Sequence, residues 1–355
     1  MIFGRHIRFS KALGRAGAAL ALATATLATS SLAQARDNFQ AAFDSALGTE
    51  VRQPRTYQAD YNDPLNRQIA MLASGELGRI GVAALDLATG RTVSILGDQR
   101  FPMASTSKIA IAATFLEGVD KGRFSLNDTF PLMVPVRSAR FSSAAAPVRA
   151  GTRLPAHELI ELMLTRSSNQ ATDALLAAVG GPDAVDRWMH RKAGITEFEL
   201  TRDIATLVRD DGEYDPASFV DERDSATPEA MTQLLSGIYQ GRWLSPESRR
   251  VILGAMERCR TGTRRIPALL PDGTYVAHKT GSLNNTSSDI GIIQTPDGRA
   301  IAIAIYVTGQ GSRPNREAKI AEIARALFTG YSAYGTHQPR TNWTNARYAS
   351  PYDNR

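Results

Sequence analysis

The sequence predicts an α/β (α+β) fold, in which an antiparallel sheet is covered by terminal helices and carries an inserted all-helical lobe. Residues 80–96 alternate as two strands around a turn at Thr89-Gly90, and strand patterns return over residues 274–308. Between these stretches, residues 155–239 show helical periodicity and little strand pattern. Because strands from both ends would pair in one sheet, we expect the intervening chain to form a helical lobe over about residues 120–255.

Two further elements complete this outline. The apolar run FPMASTSKIAIAATFL, residues 101–116, predicts a long buried helix after the first two strands. The stretch REAKIAEIARALF, residues 316–328, predicts an amphipathic helix that closes the domain and covers the sheet. A cleft between a sheet lobe and a helical lobe is a natural place for a functional site.

The chain begins with the pattern of a secretory signal peptide at residues 1–35. Four basic residues come first, an uncharged run of mainly Ala, Leu and Thr covers residues 16–32, and Ala33-Gln34-Ala35 matches an A-x-A cleavage site. The run is too short and too rich in alanine for a membrane span. We therefore expect an exported, periplasmic protein with no stable membrane insertion after processing.

The rest of the chain divides into three parts. Residues 36–63 are polar and mixed, which indicates an N-terminal arm, and residues 64–330 form the folded domain. Residues 331–355 are rich in Asn, Thr, Tyr and Arg without apolar periodicity, which predicts a polar C-terminal tail. No feature indicates a dimer, so a monomer is expected.

Composition argues against several classes of function. The formal net charge is +6, but the signal peptide holds four positive and no negative groups, which leaves +2 and argues against a nucleic-acid partner. Cys259 is the single cysteine, so no intramolecular disulfide can form. The five histidines lack metal-ligand spacing and no phosphate-binding glycine loop is present, so neither a metal nor a cofactor is predicted.

Three short motifs, far apart in the sequence, carry the chemistry. The first is S-x-x-K, in which Ser105 and Lys108 share a helix face, so that a neutral lysine amine could take the serine proton. The second is Ser167-Ser168-Asn169, and the third is Lys279-Thr280-Gly281, which Ser282 follows. A serine at a helix N-terminus also has free backbone N–H groups nearby for a developing oxyanion.

Each motif alone also has an ordinary structural explanation. Ser105 could be a helix N-cap, and Lys108 could extend along the surface to reach water. Ser167 could belong to another helix cap, and Lys279 could be a solvated strand end. The order of the three motifs along the chain favours the catalytic interpretation.

The three motifs, in this order, resemble those of the penicillin-recognising serine enzymes and, within them, the class A β-lactamases. The resemblance extends over residues 64–330 and includes FPMASTSK, GRFSLND, GGPDAV, DERDSATPEAM and RTGTRRIPALLPDGTYVAHKTGS. It implies a β-lactamase/transpeptidase-like fold and a serine hydrolase that opens a β-lactam amide through an acyl-enzyme. Arg202 and Asp224 resemble the ion pair at the neck of the family's Ω-loop.

The resemblance implies catalytic roles for four residues. Ser105 would be the acylated nucleophile, and Lys108 would be a proton acceptor beside it. Ser167 would pass a proton to the leaving amide nitrogen, and Lys279 would set the electrostatic environment of Ser167. The backbone N–H groups of Ser105 and Ser282 would form the oxyanion hole.

The same resemblance implies how a substrate would be held. Lys279, Thr280 and Ser282, with Gly281 between them, would meet the substrate carboxylate, an anion that suits a lysine at the rim of a cleft. Asn169 would donate to the amide of the substrate's side chain. The expected partner is a small-molecule β-lactam or a peptidoglycan stem peptide.

The sequence departs from the family in two places. Ser168 stands where the family's S-D-N motif has an aspartate, a change expected to be structural. Ile204 stands where the family has the glutamate that activates the deacylating water, and the loop from Arg202 to Asp224 is several residues longer than usual. Asp203 is the nearest candidate for a replacement base. Further candidates through the longer loop are Asp210, Asp211, Glu213 and Asp215.

Two rival functions use the same machinery. A D-Ala-D-Ala peptidase or transpeptidase would turn over a stem peptide, whereas a penicillin-binding sensor would acylate once and deacylate slowly. Because Ile204 cannot accept a proton, the sequence predicts a burst of acylation followed by weak turnover.

Overall fold

The structure of the protein is a computed structural model that describes residues 63–335. The predicted signal peptide at residues 1–35, the predicted arm up to residue 62 and the chain beyond residue 335 lie outside the described residues. Within the described chain, no helix combines the length and the hydrophobicity needed to cross a membrane.

The chain enters the fold through a helix, short strands and a 3-10 turn. The elements are α1 (Pro64–Leu72), β1 (Ile80–Asp86), β2 (Thr92–Ile95), β3 (Phe101–Pro102), the 3-10 turn Ala104–Ser107 and α2 (Lys108–Asp120). Asp63 begins α1 by accepting a hydrogen bond from the backbone N–H of Leu65 at 2.8 Å. Pro64 follows at the start of the helix, where a missing N–H breaks no helical hydrogen bond.

Helices dominate the next part of the chain. They are α3 (Ala156–Thr165), α4 (Asn169–Val179), α5 (Pro182–Arg187), α6 (Ile204–Arg209), α7 (Pro228–Tyr239) and α8 (Pro246–Glu257). The strands among them are β4 (Thr129–Pro135), β5 (Val148–Pro155), β6 (Phe198–Glu199) and β7 (Ser225–Ala226). β4 pairs with β5, and β3, β7 and β6 form a small sheet.

The main sheet is completed by the last strands. After a 3-10 turn at Ile266–Leu269 come β8 (Val276–Leu283), β9 (Thr286–Gln294), β10 (Ala300–Thr308) and the long helix α9 (Arg313–Gly335). The strand order is β2-β1-β10-β9-β8, and every neighbouring pair is antiparallel. The predicted antiparallel sheet, built from both ends of the domain, is therefore confirmed.

Strand β10 shows how the sheet separates two hydrophobic cores. Ile303 and Ile305 belong to the core that α1 and α9 cover. Ala304 and Tyr306 belong to the core on the other face, which α2 and α7 share. Because successive side chains of a strand point to opposite faces, an entirely buried strand such as β10 supplies both cores.

The inserted lobe is built around α2, whose residues from Lys108 to Gly118 are all buried. Helices α3, α4 and α8 pack against it. The lobe also contains the antiparallel ribbon of β4 and β5, within the stretch that the sequence predicts to be all-helical. The side chains of this ribbon are exposed or half-buried and include Pro131 and Pro135, so no clean strand alternation is visible in the sequence.

The last helix ends later than the sequence predicts. The predicted polar tail begins at residue 331, whereas α9 runs to Gly335 and Tyr331 is fully buried. The Tyr331 hydroxyl donates to Ala84 O at 3.4 Å or to Arg91 O at 3.3 Å, at the paired strands β1 and β2. The sequence does not distinguish this tyrosine from the tyrosines that follow it, because only packing against the sheet sets it apart.

Replacing Ile69 by Ala is expected to lower the free energy of unfolding by about 2–5 kcal/mol, because Ile69 is fully buried and the change leaves a cavity. Met71 lies two residues along the same helix and is 70% exposed, so Met71→Ala should change this free energy by about 0.5 kcal/mol or less. Urea unfolding followed by circular dichroism measures both values. Equal losses in the two variants would contradict the packing of α1 against the sheet.

Candidate active site

The predicted nucleophile, Ser105, lies in a tightly held turn between β3 and α2. Thr106 Oγ1 donates to Met103 O at 2.7 Å, and Ser107 Oγ donates to Ala104 O at 2.9 Å. Ala104 has a φ of +49°, a region that residues other than glycine rarely adopt and that the surrounding contacts must hold. These contacts fix the backbone of Ser105, whose side chain is half-buried.

Lys108 reaches inward and is fully buried, which rules out the alternative that it reaches water at the surface. Its Nζ donates to Ser167 O and to Asn169 Oδ1, each at 2.7 Å, and lies 3.2 Å from Ser167 Oγ. The S-x-x-K motif is thereby joined directly to the second motif.

Ser167 joins the second motif to the third. Its hydroxyl lies 3.2 Å from Lys108 Nζ and 3.0 Å from Lys279 Nζ, so it stands between two lysine amines. Lys279 is fully buried and also donates to Thr280 O at 2.8 Å. The alternative of a solvated strand end for Lys279 is therefore wrong. The fold brings together one side chain from each motif, Lys108, Ser167 and Lys279, through the Ser167 hydroxyl.

Ser168, which stands in the place of the family's aspartate, caps helix α4. Its Oγ accepts a hydrogen bond from Ala171 N at 3.3 Å, and Ser167 turns the chain just before the helix with a φ of +58°. Asn169 then begins α4 with its amide oxygen at Lys108. Serine and aspartate are comparable N-cap residues, so either side chain can cap a helix at this position.

Burial lowers the pKa of both lysines. For Lys108, the positive charge of Lys279 adds to the effect of burial while Asp173 opposes it, and the pKa falls well below its usual value. For Lys279, burial lowers the pKa to about 8, against the opposing charges of Cys259 and Asp289. Burial and the charge of Lys279 thus shift Lys108 toward the neutral amine, while a pKa of about 8 leaves Lys279 mainly charged at pH 7.

The K-T-G strand β8 runs close to the turn of the nucleophile. A Cβ on Gly281 would lie 2.7 Å from Met103 O and 3.1 Å from Ala104 Cβ, so glycine permits this approach. Arg265 is fully buried and donates from Nη2 to Ser282 Oγ and from Nη1 to Gly281 O, both at 2.7 Å. Sequence reasoning missed Arg265, because an arginine in a polar stretch does not stand out as buried.

The sequence of the folded domain matches a family of known proteins. A profile described as the Beta-lactamase enzyme family matches residues 64–331, which is well over half of the chain. The chain belongs to this β-lactamase family.

Individual members agree with this assignment. An imipenem-hydrolyzing β-lactamase of Enterobacter cloacae is 30% identical over 255 residues, which cover 70% of this chain and 83% of that protein. The extended-spectrum β-lactamase PER-1 of Pseudomonas aeruginosa is 29% identical over 277 residues, which cover 74% of this chain and 86% of that protein.

Solved structures agree with the same assignment. A β-lactamase from Chitinophaga pinensis has a TM-score of 0.66 at 28% identity, and the match covers 76% of this chain and all of that one. An ancestral class A β-lactamase has a TM-score of 0.63 at 34% identity, with 75% of this chain and 99% of that one covered. The resemblance to class A β-lactamases is therefore confirmed.

The Ω-loop of this β-lactamase is fastened at its neck. Arg202 Nε donates to Asp224 Oδ2 at 2.5 Å, and Asp224 Oδ1 accepts from the backbone N–H groups of Thr201 at 2.9 Å and Arg202 at 3.0 Å. Ile204, which the sequence resemblance places where the family has its glutamate, begins α6 and is buried.

The acids that the sequence offered as replacement bases are all engaged elsewhere. Asp203 caps α6 by accepting from Thr206 N at 2.7 Å. The other four also have partners: Asp210 with Arg209, Asp211 with Asn284, Glu213 with Arg223 and Asp215 with Asn285. Three of them line an open pocket that none of the four predicted catalytic residues borders. Across residues 63–335, no group of three or more His, Cys, Asp or Glu side chains is arranged to hold a metal ion.

Asp173 is a buried carboxylate of α4 that sequence reasoning missed. It accepts hydrogen bonds from Ile204 N at 2.8 Å and Ala205 N at 2.9 Å, which tie the first turn of α6 to α4. Burial raises the pKa of Asp173 to about 6 in spite of these two donors. Its position four residues after Asn169 was the available signal, because side chains at that spacing share one helix face near Lys108.

Asp173→Asn is expected to flatten the dependence of stability on pH. Folding raises the pKa of Asp173 from 3.8 to about 6, so the folded state keeps this proton to a higher pH than the unfolded state does. The resulting stabilisation is fully present below pH 4 and is lost as the pH rises through 6. The free energy of unfolding of the wild type should therefore fall by roughly 2–3 kcal/mol relative to Asp173→Asn between pH 4 and 7. Urea titrations across this range measure the difference, and parallel curves for the two proteins would contradict it.

Proposed function

We propose that this chain is an exported serine β-lactamase that opens the β-lactam amide through an ester on Ser105. The observation that carries the proposal is the Ser167 hydroxyl, which lies 3.2 Å from Lys108 Nζ and 3.0 Å from Lys279 Nζ beside the turn that holds Ser105. The names of the relatives, an extended-spectrum and an imipenem-hydrolyzing β-lactamase, support the same class of substrate. The periplasmic location rests on the signal-peptide pattern of residues 1–35.

Lys108 prepares the nucleophile. A neutral lysine amine has two N–H donors, which match the two acceptors at 2.7 Å, Ser167 O and Asn169 Oδ1. Its lone pair then remains to accept the hydroxyl proton of Ser105, whose oxygen attacks the lactam carbonyl. The backbone N–H groups of Ser105 and Ser282 stabilise the oxyanion, and one such donor contributes about 10²–10³ in rate.

Ser167 carries the proton to the leaving group. As the C–N bond of the lactam breaks, the Ser167 hydroxyl donates its proton to the nitrogen and receives a proton from Lys108, 3.2 Å away. Lys279 is charged below its pKa of about 8, and this charge stabilises negative charge that develops on the Ser167 oxygen. The proton taken from Ser105 thereby reaches the nitrogen through two side chains.

The anionic group of the β-lactam binds at the K-T-G strand. Lys279 supplies a positive charge, and Thr280 and Ser282 supply hydroxyl donors. Arg265, whose own charge is paired with Glu317 at 3.1 Å, orients Ser282 Oγ through a 2.7 Å hydrogen bond. Asn169, whose Oδ1 is already held, has its Nδ2 donors left for the amide of the substrate's side chain.

Ser105→Ala should abolish covalent labelling by a fluorescent penicillin, because it removes the oxygen that forms the ester. Ser107→Ala is the matched control: Ser107 lies in the same turn, but its hydroxyl donates to Ala104 O, so this variant should still be labelled. Gel fluorescence and the mass of the intact protein measure the adduct. Labelling of Ser105→Ala at the wild-type rate would show that another residue is the nucleophile.

Hydrolysis of the acyl-enzyme is the slow step of this proposal. Hydrolysis of an ester requires a water and a base within hydrogen-bond reach. Ile204 cannot accept a proton, and Asp203 is committed to the N–H of Thr206 at 2.7 Å. Acylation therefore runs ahead of deacylation.

A burst of acylation followed by weak turnover is the expected course of the reaction with a penicillin. Mass spectrometry over minutes after mixing should show the adduct accumulating, and rapid return to the free mass would reveal an efficient base. Asp203→Asn keeps an oxygen for the helix cap and should leave the turnover unchanged. Turnover of a D-Ala-D-Ala peptide faster than that of penicillin would identify a peptidase instead.

A further inference from the structure

Apolar side chains are exposed at the loop end of the ribbon that β4 and β5 form. Across residues 63–335, eight large hydrophobic side chains are exposed, and three of them, Val136, Phe141 and Val148, lie at this end or in the loop itself. A fourth, Val208 of α6, is 50% exposed. Exposed apolar side chains that gather at one place on a soluble protein usually mark a surface that contacts a partner or a membrane.

Hydrogen bonds bring α6 against this loop. Thr206 Oγ1 accepts from Ala146 N at 2.8 Å, and Asp210 Oδ1 accepts from Phe141 N at 2.7 Å. Val208 lies between these two contacts along α6. It therefore belongs to the same surface as Phe141.

The register of the ribbon gives each of its two faces an apolar side chain and an arginine. The cross-strand pairs at this end are Val134 with Arg149, Pro135 with Val148 and Val136 with Pro147. Because alternate residues of a strand share a face, Val136 and Arg149 lie on one face, and Arg137 and Val148 lie on the other. Both sides of the loop end thus present an apolar group and a cation.

The same surface is positively charged. Residues 129–156 contain four arginines and neither Asp nor Glu. Arg137 and Arg149 are exposed, and within residues 63–335 neither side chain has a hydrogen bond or an ion pair. Both cations are therefore available to bind an anion from outside the protein.

Arg140 adds a third positive charge at the loop. Its Nε donates to Arg209 O at 3.1 Å, and its guanidinium carbon lies 4.8 Å from the centre of the Phe141 ring. A carbonyl oxygen and an aromatic ring carry no formal charge, so these contacts leave the charge of Arg140 in place. Arg209 is itself paired with Asp210 at 2.7 Å. Asp211 alone does not balance the three arginines of the loop end.

We propose that this surface, the ribbon patch, docks the protein onto a bilayer that contains anionic phospholipid. The ribbon patch consists of Arg137, Arg140 and Arg149 with Val136, Phe141 and Val148. The apolar side chains enter the headgroup region, and the arginines meet the lipid phosphates there. Arginine suits this boundary, because its stem lies along apolar surface while its charge stays among the headgroups.

The mixture of side chains favours a bilayer over a soluble polyanion. A soluble polyanion needs only the arginines, whereas half of the large hydrophobic side chains exposed in residues 63–335 lie in or beside the ribbon patch. Docking of this kind stays at the membrane interface and needs no spanning segment. It uses none of the proposed catalytic residues, so it does not depend on the chemistry at Ser105.

Sedimentation with vesicles tests the docking directly. Protein purified from the periplasm should co-sediment with vesicles of phosphatidylglycerol and phosphatidylcholine at low ionic strength, and much less with vesicles of phosphatidylcholine alone. Salt at about 1 M should weaken the binding, because the Debye length then falls to about 3 Å. Absence of binding to the anionic vesicles, or equal binding to both kinds, would overturn the proposal.

Substitution of single arginines tests the charge of the ribbon patch. Arg137→Gln and Arg149→Gln should each weaken binding to the anionic vesicles about fivefold, the contribution of one arginine near an anionic surface. Arg325→Gln is the matched control, because Arg325 is exposed on α9, which covers the opposite side of the main sheet. Equal weakening in all three variants, or in none, would show that the ribbon patch is not the docking surface.

Substitution of an apolar side chain separates a bilayer from a soluble polyanion. Phe141→Ser should weaken vesicle binding about tenfold, because its ring no longer enters the interface. Met71→Ser is the matched control, since Met71 is exposed on α1, on the opposite side of the sheet. If Phe141→Ser bound as tightly as the wild type, the arginines alone would act, and a bilayer would not be the partner. If a variant failed to fold, the wild-type comparison of the two kinds of vesicle would still decide.

Discussion

The Ser167 hydroxyl is hydrogen-bonded to two buried lysine amines, and this arrangement constrains the charges of both lysines and the backbone around them. Two amines this close cannot both be charged at little cost, because burial and mutual repulsion act in the same direction. The structure resolves the conflict by giving Lys108 two acceptors at 2.7 Å that suit a neutral amine. Lys279, on the sheet side, lies near Asp289 and the Cys259 thiol, which favour its charged form.

Holding these side chains together requires unusual backbone on both sides of the cleft. Ala104 and Ser167 both have positive φ. Ala104 immediately precedes the S-x-x-K motif, and Ser167 is the first residue of the second motif. Backbone of this kind persists only where surrounding contacts determine it, and here the hydrogen bonds of the turn and the cap of α4 do so. Gly281 adds the close approach of β8, so the sheet and the helical lobe meet at the nucleophile.

The Ω-loop keeps its structural contacts but carries no proton-accepting group at Ile204. Its neck keeps the Arg202–Asp224 pair, and Asp173 holds the backbone of Ile204 and Ala205 against α4. Both ends of this contact network therefore hold the backbone of the loop, although Ile204 has no proton-accepting group. The carboxylates of the longer loop satisfy backbone N–H groups, amides and arginines, which explains how the segment stays ordered without supplying an obvious base.

The sequence by itself determined the sheet, the terminal helices, the inserted lobe and the three motifs, because alternation, helical periodicity and contiguous motifs are local patterns. The tertiary structure alone decided which distant groups act on those motifs. Arg265 meets the site through contacts across the fold, and such contacts leave no local pattern. For Asp173 the one local sign was its spacing of four residues from Asn169. The burial of Tyr331 at the end of α9 could be recognised only from packing, because tyrosine occurs both in protein cores and in exposed segments.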